Sequence, residues 1–594
     1  MMDSLAQHLV ALYGRLRGRA ASRELGRLIR ELRPRLPLPS PRRLNERDVL
    51  LIVYPDMVRE PGSPPLRALA GFCVRRLAGA FSTIHVLPFF SSSSDDGFSV
   101  IDYREVDPVL GGWEDVARLR MKFRLMIDVV ANHVSTESRW FREFLRDDPR
   151  YRTYFIVVPE GSDVSRVVRP RSLPLLTRFE TPSGGKLVWT TFSRDQVDLN
   201  YADPAVLLEM VDTLLFYVSK GAEFIRLDAV AYLWKELGTR CIHLPQTHRV
   251  VQLLRSVLEV VAPQVSLVTE TNVPHEENIS YFGNGMNESH LVYNFALPLL
   301  ILHAFHAGNA GKLSQWATTL AAPSPHTTFL NFLASHDGIG INAGRGILDE
   351  SEINSLVERV LAHGGLVSYK DNPDGPASPY ELNINYFDAL SNPAGSESDT
   401  VRTARFTTAH AIMLALAGVP AVYFHSIVGS SGWREGADRS GSNRAINRER
   451  LELRTLEAQL DDPDSRRARV YHQLMRLLDI RAGHRCFHPG AAQRILLLDP
   501  SVFAVLRTSS DDAQKSVLCV HNVSGEPRTM QWNARELFPG NTFEVIDLLA
   551  PHLTTASAGK PLRLEPYQSL WLKPDNSHPQ SDRGQAVSSP GDGR

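Results

Sequence analysis

From Val49 onward, short apolar runs rich in β-branched residues alternate with stretches whose apolar positions recur at helical spacing. Leu50 to Tyr54 and Thr83 to Pro88 read as strands, with a helix between them near Leu66 to Leu77. The alternation runs on through a helix at Trp113 to Lys122, a strand ending at Asp128, a helix from Pro204 to Ser219, a strand ending at Arg226 and a helix from Thr247 to Val260. Further β-rich stretches cover Val265 to Thr269 and Thr328 to Leu333. Such alternation builds a parallel sheet from βαβ units, and the fold class predicted is α/β, a (β/α)8 barrel.

The pattern breaks in defined places. Residues 1–47 carry Leu5, Leu9, Leu12 and Leu16, then Leu25, Leu28, Ile29 and Leu32, spaced for one or two amphipathic helices packed on the body. The barrel is assigned to residues 48–133 and 201–482, with 134–200 as an inserted lid subdomain and 338–398 as a second loop insert over the site. Residues 483–574 turn to short strands with turn signals, an antiparallel β-domain, and 575–594 to a polar, disordered tail.

Composition narrows the function. Lys plus Arg total 65 against 66 Asp plus Glu, so no global field would hold nucleic acid or an anionic membrane, and a small neutral substrate fits better. Cys73, Cys241, Cys486 and Cys519 form no CxxC pair, which argues for reduced thiols in a cytoplasm. The N-terminus has no signal-type apolar core.

Four runs then carry chemistry: Asp128 to His133 (DVVANH), Arg226 to Val230 (RLDAV), Thr269-Glu270, and Ser335-His336-Asp337. Each follows or sits in a β-rich stretch, so three carboxylates fall at strand ends, the catalytic end of such barrels. Retaining glycosyl transfer needs one carboxylate as nucleophile and a second carboxyl as acid, then base. Asp228 and Glu270 are the candidates. Arg226 lies two residues before Asp228 on one strand face and would hold that carboxylate ionised, whereas Glu270 must be protonated for part of the cycle. Taken singly, Arg226 with Asp228 also reads as an ordinary ion pair, and Glu270 as a solvated residue before a helix at Pro274; the ordered set favours catalysis.

The four runs resemble the signature regions of the α-amylase superfamily, glycoside hydrolase family 13. The neighbouring residues Asp95 to Tyr103 (DDGFSVIDY), Ala231 to Thr239 (AYLWKELGT) and His336 to Gly340 (HDGIG) are similar to its sucrose phosphorylase branch, and the similarity covers Val49 to Pro574. The resemblance implies Asp228 as nucleophile, Glu270 as acid/base and Asp337 as the carboxylate that stabilises the transition state. It implies that His133, His336 and Arg226 hold the glucosyl unit, that Asp95 and Arg444 close its pocket, and that Tyr232 lines the acceptor side. Arg171, Tyr380 and Glu381 are placed on the phosphate and acceptor side.

The N-terminal helices, the Tyr369 to Gly375 insert, Glu381, the Cys241 to Thr247 run and the Ser426 to Arg434 loop depart from sucrose phosphorylases and look more like glucosylglycerate phosphorylases. The reaction implied is glucosyl transfer from a small α-glucoside, favoured as 2-O-(α-D-glucosyl)-D-glycerate, to phosphate. Sucrose, sucrose 6-phosphate and glucosylglycerol stand as other substrates, an α-glucosidase or transglucosidase as another activity, and a non-catalytic sugar-binding barrel as another class. An acceptor carboxylate calls for a cation, and Lys370, Arg171, Arg434 and His243 are equal candidates. Asn132 lacks the acidic neighbours of a calcium shell, so no metal and no organic cofactor is expected, with phosphate as co-substrate. A homodimer is left open.

Overall fold

The computed structural model describes residues 2–41, 44–372, 375–512, 515–538, 544–550, 555–557 and 560–575. Eight parallel strands close a barrel in chain order: β1 Leu50–Val53, β2 Thr83–Val86, β3 Arg124–Val129, β4 Ala222–Leu227, β5 Ser266–Thr269, β6 Leu291–Tyr293, β7 Thr328–Phe332 and β8 Val419–Tyr423. Leu50 of β1 registers with Ala421 of β8, which shuts the cylinder. The strands are buried on both faces, as all-parallel sheets must be once helices cover them. Those helices include Pro65–Arg76, Pro204–Ser219, Pro245–Val261, Asp399–Ala415 and Arg466–Ala482.

The helix Met2–Leu32 buries Leu5, Leu9, Leu25 and Ile29 in the barrel's main core. It breaks at Gly14 (φ 74°, ψ 173°), and the chain doubles back so closely that a Cβ on Gly18 would meet the Leu9 carbonyl oxygen at 2.6 Å. That break accords with two amphipathic helices, but Leu16, one of the positions expected to pack on the body, faces outward at 88% exposed. Tyr13 Oη donates to the Tyr201 carbonyl at 2.9 Å.

Between 134 and 200 a three-stranded antiparallel sheet (Val157–Val158, Gly184–Trp189, Leu176–Thr181) builds its own small core from Val158, Val167, Leu175 and Trp189, closed by Cys241 from the segment after β4. The 338–398 interval is more ordered than the loop expected there. It holds the helix Glu350–Ala362, capped reciprocally by Asp349 and Glu352, and an antiparallel sheet of Ile339–Gly340, Gly375–Asn383 and Leu366–Asn372. A six-stranded antiparallel sheet with a separate core follows from Ala492 to Pro574. The polar tail from 576 and residues 373 and 374 of the Tyr369 to Gly375 insert lie outside the described residues. All four cysteines are buried free thiols, and among the described residues no helix is long and apolar enough to cross a membrane.

Candidate active site

Strand register assembles the site. Arg226 of β4 lies beside Asp128 of β3, so both side chains enter the barrel at one level. Asp128 is fully buried between His85 of β2, whose Nε2 is 2.7 Å away, and the Arg226 guanidinium. Burial alone would push this carboxyl up, but His85 and the Arg226 guanidinium beside it hold it down at about 2. Arg226 is thus fixed from below, 3% exposed, and its Nη1 donates to Asp228 Oδ1 at 2.9 Å while Nη2 reaches 3.8 Å from Glu270 Oε2.

Asp228 follows the last residue of β4, and Glu270 the last of β5. Between them Ala229 takes a left-handed backbone (φ 50°), a strained conformation for alanine, which aims its N–H at Glu270 Oε2, 3.0 Å away. Burial and the surrounding carboxylates raise Asp228 to about 8; burial, with Asp337 behind it, raises Glu270 as well. The two titrate as a pair. Because Arg226 sits nearer Asp228, the anion belongs on Asp228 and the proton they hold near neutrality on Glu270. That is the division of labour a nucleophile and an acid require.

Asp337 and His336 come from the segment after β7. The His336 ring stacks on Phe98 (centroids 4.9 Å apart, 4° between planes) and meets the edge of Tyr54. Burial, reinforced by Arg448, Arg226 and Arg444, keeps it neutral far below the usual histidine range. Burial likewise lowers His133 to about 4, and its Nε2 lies 2.9 Å from the Phe98 carbonyl and 3.2 Å from Gln196 Nε2. Two neutral imidazoles beside ionised carboxylates suit sugar hydroxyls, which both donate and accept.

Asp95, Arg444, Tyr232, Arg171 and Tyr380 share one pocket wall with Asp228, Glu270, Asp337, His133 and His336, around a cleft of about 690 Å³ including its mouth. Asp95 sits in a tight turn with Asp96 and Gly97, where a Cβ on Gly97 would lie 2.5 Å from the Pro88 carbonyl oxygen. The Asp95–Arg444 closure implied by the resemblance is not a direct pair. Asp95 Oδ2 instead faces Gln196 Nε2 at 3.1 Å and Arg171 Nη2 at 3.4 Å, and Arg444 Nη1 binds Asp337 Oδ1 at 2.6 Å.

Glu381 does not line the pocket. Only 2% exposed, it accepts two bonds from Arg444, at 3.0 and 2.7 Å, and one from Asn383 Nδ2 at 2.6 Å. Of the four cations considered for an acceptor carboxylate, Arg171 alone is on the pocket wall. His243 Nε2 pairs with Glu277 at 3.1 Å, Lys370 Nζ points to Asn342 Oδ1 at 3.3 Å, and Arg434 Nε bonds Asp438 at 3.0 Å.

Three supporting residues were not singled out from sequence. Arg448, 1% exposed, donates to the His336 carbonyl at 3.0 Å and to Asp96 at 2.6 Å, tying two pocket turns together. His85 braces Asp128 from β2. Lys235, seven residues after Asp228, places its buried Nζ 2.7 Å from Asn132 Oδ1 and 2.6 Å from Asp198 Oδ2. An ammonium group therefore occupies the Asn132 position considered for calcium. Among the described residues no cluster of three or more His, Cys, Asp or Glu could hold a metal ion.

Residues 79–341 match the family described as alpha amylase, catalytic domain. Over 575 residues, 96% of this chain and 98% of the relative, the sequence is 49% identical to a glucosylglycerate phosphorylase of Allomeiothermus silvanus. It is 46% identical to one of Spirochaeta thermophila, over 96% of this chain and 99% of the relative. The fold superposes on a crystal structure of sucrose 6F-phosphate phosphorylase from Thermoanaerobacter thermosaccharolyticum with a TM-score of 0.71 at 22% identity, covering 83% of this chain and 97% of that one.

Proposed function

The chain belongs to glycoside hydrolase family 13, the α-amylase family, in its sucrose phosphorylase subfamily, and we propose that it is a retaining glucoside phosphorylase whose substrate is 2-O-(α-D-glucosyl)-D-glycerate. The glucosylglycerate phosphorylases above, alike over nearly the whole chain, support that choice of acceptor.

The anionic Asp228 Oδ attacks the anomeric carbon from the face opposite the leaving oxygen. As the C–O bond breaks, Glu270 passes its proton to that oxygen and D-glycerate departs as the free alcohol. Arg226, held by Asp128, keeps the nucleophile oriented, and Asp337 faces the positive charge that builds on the ring. An ionised oxygen of phosphate then attacks the β-glucosyl ester and displaces Asp228 as carboxylate, and the proton left on the phosphate returns to Glu270. Two inversions give α-glucose 1-phosphate. Phosphate is the co-substrate, and neither a metal nor an organic cofactor takes part. A cytoplasm would supply the phosphate.

The observation that carries a phosphorylase over a hydrolase is the Arg171 guanidinium on the pocket wall. Water needs no cation at its point of entry, whereas a phosphate dianion does, and a guanidinium fork offers two charge-assisted bonds. The test is release of α-glucose 1-phosphate from glucosylglycerate and from sucrose, each with and without phosphate. Phosphate-dependent release from glucosylglycerate is expected. Release from sucrose alone would move the acceptor, and glucose release without phosphate would make the protein a hydrolase.

A further inference from the structure

We propose that Arg171 is the single anion anchor of the acceptor subsite and serves both acceptors in turn: the carboxylate of D-glycerate in one half-reaction and phosphate in the other. This deepens the phosphorylase reading and rests on it. Two arginines line the pocket, Arg171 and Arg444. Arg444 is already neutralised, with Nε and Nη2 given to the two oxygens of Glu381 and Nη1 to Asp337. Glu381 is buried behind it and braced by Asn383, so this arrangement is built in. Two carboxylates thus already balance the Arg444 charge.

Arg171 differs. Its one carboxylate contact is Asp95, at 3.4 Å with a side chain 30% exposed, and its guanidinium carbon stands 5.7 Å from the centre of the Phe192 ring. Asp95 is also the carboxylate that the family resemblance assigns to the glucosyl end of the pocket, so a bound sugar would compete for it and free the Arg171 fork. That fork then faces the acceptor side, shared with Tyr232 and Tyr380. A carboxylate and a phosphate present the same pair of oxygens to such a fork. One anchor suffices because glycerate leaves before phosphate enters. Lys370, His243 and Arg434 all lie off the pocket wall with partners of their own. A neutral acceptor such as glycerol, which is glycerate without its charge, should not feel Arg171.

The test uses α-glucosyl fluoride, which loads the enzyme without needing either anion, and follows transfer to D-glycerate, phosphate and glycerol. Arg171→Gln should raise KM for glycerate and for phosphate together, each by about tenfold to a hundredfold, as loss of charge-assisted bonds does. Transfer to glycerol should fall far less than transfer to either anion, which also shows that the variant folds and is glucosylated. Arg171→Lys, which keeps the charge without the fork, should fall between. A rise for phosphate alone would overturn the proposal, since the carboxylate would then have its own cation. Collapse of transfer to all three acceptors would overturn it too, making Arg171 a positioning residue. If wild-type enzyme makes no glucose 1-phosphate from the fluoride and phosphate, the phosphorylase reading itself fails.

Discussion

Replacing Asp228 by Asn should abolish turnover and yet stabilise the protein, increasingly so as pH rises. Asp228 is 8% exposed, and burial, opposed by Arg226 but reinforced by Glu270, Asp128 and Asp337, raises the proton that it shares with Glu270 from the ordinary 3.8 to about 8, so the pair keeps that proton even while it rests on Glu270. A carboxyl that titrates higher in the folded than in the unfolded chain keeps its proton longer when folded. Folding therefore becomes less favourable as pH climbs from the unfolded toward the folded value. Four units at about 1.4 kcal/mol each amount to roughly 5 kcal/mol by pH 8, against about 2 kcal/mol at pH 5. Asparagine stays neutral and still offers an oxygen to Arg226, so Asp228→Asn escapes this cost. With an unfolding entropy of about 2 cal/mol/K per residue, the gain at pH 8 corresponds to a Tm about 4 °C above wild type. The assay is thermal unfolding of both proteins from pH 5 to pH 8.5, and the gap should widen steadily. A constant gap, or a variant less stable than wild type at pH 8, would refute the electrostatic argument.

Two further outcomes follow from the same geometry. Glu270→Gln should lower kcat/KM for glucosylglycerate by about a hundredfold or more, the usual worth of a general acid, while fluoride release from α-glucosyl fluoride, whose leaving group needs no proton, stays close to wild type; equal losses with both donors would assign Glu270 a structural part instead. Lys235→Met leaves the Asp198 carboxylate buried without its ammonium and should destabilise the lid junction by about 3–5 kcal/mol, with Asp198→Asn added on top restoring much of the loss in thermal unfolding; simple addition of the two single losses would show the pair is not coupled.

The barrel was legible where its strands are long enough to carry a pattern. β3 and β4 each span six buried or nearly buried residues. The sequence reading did not find β6, because Leu291–Tyr293 is three residues long, nor β8, which contains Pro420. Proline argues against a central strand. Gly418, with φ 135°, lets the chain enter β8 against Asn331, whose side chain a Cβ there would meet at 2.6 Å.

Asp228 and Glu270 were legible as chemistry because each ends a recognisable strand. The charges beneath them were not, since His85 and Asp128 meet only through barrel register. Arg448 finds Asp96 across 352 residues, beyond any local pattern. The strand pattern around Glu381 also carries information about its direction. Neighbours on a strand point to opposite faces, so once Tyr380 faces the pocket Glu381 turns away, toward Arg444.

The mechanism turns on a covalent glucosyl ester on Asp228 that phosphate resolves. Glu270→Gln protein loaded with α-glucosyl fluoride, quenched and weighed intact by mass spectrometry, should be heavier by one anhydroglucose, with peptide mapping placing the addition on Asp228. A phosphate chase should restore the original mass and release α-glucose 1-phosphate, because phosphate arrives already ionised and needs no base. No adduct, an adduct on another residue, or an adduct that decays equally fast without phosphate would contradict the account.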